Sequence, residues 1–279
     1  MKHKIARLVL DGRYYDKYGN PIFPLIEKVI QVFLACEYPK NTYEFILTPG
    51  GFLSFDFPRP LRYNLDIEKA EIESMGLLQK QANSVIDSFF SGLKPEIFKK
   101  LKETANYFTI GIDGSNPVNY QHTELVAVYD LKKEKVIRWT GKFYPTEVQK
   151  IDLIKVIDLD THFIELNNQR VVILGCHDLN VFNPRGQANA SPHGWKKQIA
   201  DTFKAKCKEF KPHIILQHPH TTDTPNIWNP AWRVVEKELP CVKHFASGIM
   251  YYNEDGVRSS LAKVLEKTKK GDVMDFYCT

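Results

Sequence analysis

At 279 residues, with 43% hydrophobic and 25% charged positions, the chain has the composition of an ordinary globular protein with enough apolar surface for a full core. The net charge of +5 is spread over lysine-rich faces such as Lys196-Lys197 and the alternate lysines of 204–208, which excludes the dense basic stripe of a dedicated nucleic-acid binder. No apolar run is long enough to span a bilayer, and the opening Met1-Lys2-His3-Lys4 has no signal-like apolar core. The five cysteines, Cys36, Cys176, Cys207, Cys241 and Cys278, form no CxxC pair, so neither a zinc knuckle nor a disulfide framework is indicated and a reducing cytoplasm is expected.

In chain order, residues 5–10 read as a strand, and 24–36 as a helix with Leu25, Val29, Ile30, Phe33 and Leu34 at helical spacing. A short strand over 44–47 runs into the turn signal Thr48-Pro49-Gly50-Gly51, followed by an ordered loop over 52–66. Residues 70–101 are predicted helical with a break at 92–95, and 107–112 as a strand. Residues 123–129 and 135–139 form an expected antiparallel pair, as do 163–166 and 170–174 across Asn167-Asn168. Helix 196–210, strand 213–217, helix 230–238, strand 242–247 and helix 259–269 complete the pattern. Strands and helices alternate twice over, which predicts two sheets packed face to face with helices outside. No Pro/Gly/Ser-rich linker divides the chain, so one domain over 1–279 is expected, with about 255–279 as a C-terminal arm.

The most informative run is Val171-Val172-Ile173-Leu174-Gly175-Cys176-His177-Asp178. An apolar strand stops at glycine, and a thiol follows at its mouth among polar groups, where an α/β enzyme places a nucleophile. The competing reading of Cys176 is a buried small hydrophobe. A second cluster, His218-Pro219-His220-Thr221-Thr222-Asp223, follows the 213–217 strand. Three readings stay open for it: substrate-binding or base histidines, a metal site with Asp223 and His177, or a hydrogen-bonded polar loop. Arg185, on the loop after the cysteine, and Arg258 are candidates for holding an anionic group, with Arg185 preferred. Trp228 and Trp232 either line a pocket or pack on the sheet.

This order of motifs resembles the nitrilase superfamily of carbon–nitrogen hydrolases, which use a glutamate, a lysine and a cysteine at the ends of different strands. Residues 45–52 resemble the family's strand into the glutamate, 107–113 its next central strand, 124–142 its hairpin into the lysine at Gly141-Lys142-Phe143-Tyr144-Pro145, and 171–178 its strand into Cys-x-Asp. The resemblance implies an α/β fold in a four-layer α-β-β-α sandwich, no cofactor, a small-molecule substrate and a homodimer. It implies Cys176 as nucleophile, Lys142 as thiolate and oxyanion stabiliser, and Glu147 as an auxiliary glutamate able to serve as base. His177, Asp178, Arg185, His218 and His220 are the expected substrate-binding set. The chain departs from the family pattern at Gly50, which stands where the catalytic glutamate is expected, and in the longer stretch 179–185. Three functions remain in view: a cysteine hydrolase of amide or related C–N bonds, a pseudoenzyme of the same fold, and a metal-dependent hydrolase using His218 and His220.

Overall fold

The computed structural model describes residues 4–11, 30, 43–63, 66–188, 193–253 and 255–277. The helix expected over 24–36 lies, apart from Ile30, outside the described residues. The first sheet is built from β1 (Ile5–Asp11), β2 (Tyr43–Leu47), β3 (Leu53–Asp56), β4 (Ala105–Ser115), β5 (His122–Asp130) and β6 (Lys135–Gly141). The second holds β7 (Phe163–Leu166), β8 (Gln169–Leu174), β9 (Ile214–Gln217) and β10 (His244–Ser247). Three short strands then divide between them: β11 (Ile249–Tyr251) and β13 (Val273–Tyr277) pair with β1, and β12 (Lys269–Lys270) pairs with β10. The strand orders are β11-β1-β2-β4-β5-β6, with β3 beside β4, and β12-β10-β9-β8-β7.

Period-two alternation explains why these strands stack in layers, because successive side chains point to opposite faces. Phe45, Leu47, Val126 and Val128 of the first sheet meet Val171, Ile173, Ile214 and Leu216 of the second in one buried cluster between them. The alternate residues face outward. Phe108, Ile110 and Ile112 pack under the helix Met75–Gly92 through Leu78, Ala82, Ile86 and Phe89. Val172, Leu174 and Ile215 pack under the helices Trp195–Phe210 and Asn229–Glu238 through Phe203, Cys207, Trp232 and Val235. The result is the α-β-β-α sandwich that the alternation predicted. At the β7–β8 hairpin, Asn167 and Asn168 both adopt positive φ (48° and 62°), the backbone of a tight two-residue turn.

Two expectations are corrected. The stretch 52–66 is not loop throughout, because β3 forms within it and pairs parallel to β4. Residues 255–277 are not an arm, because β13 runs parallel to β1 over five residue pairs and buries Phe276.

The site follows from strand direction. β1, β2 and β4 run parallel in one sheet and β8, β9 and β10 in the other, so their C-terminal loops open at sheet ends. The Gly50 amide donates to the Pro219 carbonyl (3.0 Å), which ties the loop after β2 to the loop after β9 across the two sheets.

Candidate active site

β8 ends at Leu174, and the chain turns through Gly175 into Cys176. A side chain at 175 would lie 2.9 Å from both Asp178 Oδ2 and the Lys142 amide nitrogen, so the approach of these two loops requires glycine. The Asp178 carboxylate makes that approach rigid. Its Oδ2 accepts from the Gly175 amide (2.8 Å), and its Oδ1 accepts from the amides of Phe143 (3.0 Å) and Tyr144 (2.9 Å). Asp178 is completely buried, and that burial pushes its carboxyl up to about 7 against the pull of the three amides. It therefore clamps the lysine loop to the cysteine loop and does not face substrate as expected.

A second anchor holds the nucleophile's own peptide. Gln217 Nε2 donates to the Cys176 carbonyl (2.7 Å), Ser247 Oγ donates to Gln217 Oε1 (2.7 Å), and Trp232 Nε1 donates to Ser247 Oγ (3.0 Å). Gln217 and Ser247 are fully buried. In a trans peptide the N–H points away from the carbonyl. Gripping the Cys176 carbonyl therefore fixes the direction of the His177 N–H, which meets no protein acceptor among the described residues.

Around the thiol stands a cluster of charged groups. Asp113 and Glu124 are direct cross-strand partners in the β4–β5 ladder, which places both carboxylates on one face. Lys142 Nζ donates to Glu124 Oε1 (2.7 Å) and to Gln149 Oε1 (2.6 Å), and Gln149 Nε2 donates back to Glu124 Oε1 (3.1 Å). His220 Nε2 lies 2.7 Å from Asp113 Oδ2, and its Nδ1 lies 3.5 Å from Glu124 Oε2. The His220 amide donates to Cys176 Sγ (3.4 Å). Donor atoms of Glu124, Cys176 and His220 all lie within 4.8 Å of one another. Asp113, Glu124, Gln149, Cys176 and His220 open onto a cleft of about 590 Å³, also lined by Ser54, His177, Trp228 and Arg258, whereas the Lys142 side chain is fully buried beside Glu124.

The electrostatics follow from the packing. Burial pushes the Cys176 thiol up, but the nearby His177 and His220 imidazoles outweigh it and hold the thiol at about 5, where it is a thiolate at neutral pH. Burial also raises Glu124, yet His220, Lys142 and His177 bring it to about 2. His220 moves the other way: desolvation disfavours its cation, but Asp113, Glu124 and Cys176 raise it well above the usual histidine value. Lys142 stays charged, because Glu124 and Cys176 more than offset its burial.

The expected site residues divide. Cys176, Lys142, His177 and His220 converge. Glu147 does not: its side chain is 72% exposed and pairs with Lys196 (2.6 Å), because the turn after Lys142 carries it outward. Gln149, two residues on, turns inward instead. Arg185 is exposed, its backbone amide donating to Asn183 Oδ1 (3.0 Å), because the short helix Pro184–Ala188 carries it off the loop. Arg258 is the arginine that reaches the cleft. His218 is buried away from the cleft and held down to about 3 by that burial. This removes the metal reading built on His218, His220 and Asp223, since Asp223 is also taken by Arg258. Of the donor atoms that do converge, those of Glu124, Cys176 and His220, the Glu124 carboxylate is already paired with Lys142 and the His220 ring with Asp113. Trp232 packs on Phe245 (4.2 Å, stacked), whereas Trp228 lines the cleft with its ring 5.7 Å from that of His177.

Asp113, Glu124, Gln149 and Gln217 escaped the sequence reading. The signal for the first two was a carboxylate at the edge of an apolar strand, Ile110-Gly111-Ile112-Asp113 and Glu124-Leu125-Val126; only the register joins them.

No protein-family model matches the sequence, and no curated protein matches it. Among solved structures, the chain aligns with an amidase from Nesterenkonia sp. AN1 bearing the acetamide moiety of fluoroacetamide on its active-site cysteine, at 12% identity over 89% of this chain and 76% of that one (TM-score 0.46). It aligns with a carbon–nitrogen hydrolase from Helicobacter pylori G27 at 8% identity over 95% and 78% of the two chains (TM-score 0.45). A glutamine-dependent NAD+ synthetase from Acinetobacter baumannii aligns at 12% identity, over 88% of this chain but 38% of that one (TM-score 0.45). The chain is thus similar, at low identity, to structures of a cysteine amidase and a carbon–nitrogen hydrolase.

Proposed function

We propose that the protein is a nitrilase-like cysteine hydrolase of amide or related non-peptide C–N bonds, in which a His220–Asp113 pair takes the part of the absent glutamate. The observation that carries this reading is where His220 sits. A side chain at Gly50 would lie 2.9 Å from His220 Cε1 and 3.0 Å from its Nδ1, so the imidazole fills the space beside the position where a catalytic glutamate was expected.

The chemistry runs as follows. The Cys176 thiolate attacks the amide carbonyl carbon, and the oxyanion is held by Lys142 Nζ and the His177 N–H, each worth roughly 3 kcal/mol when well placed. The C–N bond breaks as the His220 imidazolium gives its proton to the departing nitrogen, leaving a Cys176 thioester and an amine. Neutral His220, oriented by Asp113, then takes a proton from water as that water attacks the thioester. The C–S bond breaks, the acid departs, and the thiolate–imidazolium pair is restored. Glu124 is the counter-ion that keeps Lys142 and His220 charged and in place.

The test is acyl-enzyme formation. Reaction with p-nitrophenyl acetate, followed by mass spectrometry of intact protein and peptides, is expected to give one acetyl group on Cys176 and none in Cys176→Ala. A folded wild-type protein that forms no thioester and turns over no simple amide overturns the reading in favour of the pseudoenzyme.

A further inference from the structure

The cations beside the thiol each have a protein partner. Lys142 is held by Glu124 and Gln149, and His220 by Asp113. Arg258 differs. Its Nε and Nη2 donate to Asp223 Oδ2 and Oδ1, both at 2.7 Å, and its backbone amide donates to the same carboxylate (3.2 Å). Asp223 is fully buried and also accepts from Asn253 Nδ2 (3.3 Å), so the guanidinium is fixed from behind. A guanidinium carries five N–H donors in a rigid planar fork. Asp223 engages the side-on edge through Nε and Nη2. The end-on edge, formed by Nη1 and the second Nη2 hydrogen, meets no protein acceptor among the described residues. The side chain is half exposed and lines the cleft that Cys176 opens into, with Ile227 and Trp228 in the same wall.

We propose that this free edge of Arg258 recognises a carboxylate on the substrate, so that the preferred substrates are small amides with an anionic group at the end remote from the scissile bond. The proposal rests on the hydrolase reading above. An arginine oriented by a buried partner is preorganised for bidentate carboxylate binding, because the rotamer freedom that binding would otherwise remove is already lost. The neighbouring Ile227 and Trp228 offer apolar surface to a short carbon chain, and the cleft volume suits a small ligand. Among the described lining residues no second arginine or lysine competes for the anion.

The experiment compares kcat/KM for succinamate and butanamide, amides of similar length with and without the carboxylate. Wild-type protein is expected to favour succinamate by about tenfold or more, the effect of one charge-assisted pair. In Arg258→Gln the ratio is expected to collapse toward unity, and raised ionic strength is expected to weaken the wild-type preference. Removing Arg258 leaves the buried Asp223 unpaired, so the double variant Arg258→Gln/Asp223→Asn is measured beside it, with thermal unfolding as the control on folding. A wild-type enzyme that turns over butanamide as well as succinamate overturns the role of Arg258 alone. So does a preference that survives in folded Arg258→Gln. Turnover of neither amide, with no thioester on Cys176, fells the hydrolase reading and the substrate class with it.

Discussion

Gly50 and His220 share one small volume. Because the Gly50 Cβ position lies 2.8 Å from the His218 carbonyl oxygen and 2.9 Å from the His220 ring, neither alanine nor glutamate fits without moving the imidazole. Gly50→Ala is expected to cost about 1–3 kcal/mol of stability by overpacking, measured by urea denaturation. Gly50→Glu is expected to lower activity, although it places a glutamate where the family resemblance puts one; higher turnover in that variant would contradict the placement of His220. Asp113→Asn removes the foremost of the three charges that hold His220 protonated. The alkaline limb of the pH–rate profile should then move to lower pH, and kcat should fall by about 10²-fold or more. An unchanged limb would show that His220 is not the group titrating. The thiol itself makes a further prediction. Its folded value is depressed from 9.0 to about 5, so its ionisation stabilises the fold fully above the unfolded value and that stability is lost as pH falls through about 5. Cys176→Ser should flatten this part of the stability–pH curve, read from denaturation midpoints across the range.

The strands and loops that deliver these groups were unevenly legible. β4, β5, β8 and β9 could be read from alternation and turn residues, and with them the position of Cys176 at a strand mouth. Register could not. Whether Asp113 faces Glu124 depends on how β4 and β5 align, and local sequence does not encode the count across the 116–121 connection. Glu147 and Arg185 were misplaced for a related reason: proximity in sequence to Lys142 and Cys176 says nothing of which way a turn or a short helix points its side chains. The link between β9, β10 and the cysteine loop was likewise invisible, since Gln217 reads as one polar residue ending an apolar strand. Its bond to the Cys176 carbonyl makes it a positioning residue. Gln217→Leu should cost about 1–3 kcal/mol by leaving that carbonyl and Ser247 short of partners. It should also slow acylation of Cys176 by p-nitrophenyl acetate more than alkylation by iodoacetamide, because only acylation needs a directed His177 N–H. Equal slowing of both would make Gln217 merely structural.

Across the whole molecule, the four layers were implied by sequence because each strand contributes alternate residues to two different clusters. The C-terminal closure was not, because β13 carries the mixed run Val273-Met274-Asp275-Phe276 that reads as surface. Its purpose is seen in Arg7, a fully buried arginine on β1 whose Nε donates to Asp275 Oδ1 (2.6 Å), while Nη1 reaches Thr268 Oγ1 (2.8 Å) and the Ser247 carbonyl (3.2 Å). Strand β13 thus neutralises a buried charge on β1 and, through Ser247, connects to the anchor of the nucleophile loop. Asp275→Ala should destabilise by about 3–5 kcal/mol, the cost of stranding a buried charge, whereas truncation of a loose arm would cost almost nothing. Chemical denaturation separates the two.

The central claim is that Cys176 is a thiolate paired with His220 inside a shared cleft. Its most direct test is the pH dependence of iodoacetamide labelling, resolved cysteine by cysteine by mass spectrometry. Cys176 should outpace the other cysteines with a midpoint of about 5, and Asp113→Asn should raise that midpoint. A Cys176 midpoint at the ordinary thiol value of about 8.5, or labelling no faster than Cys241, would contradict it.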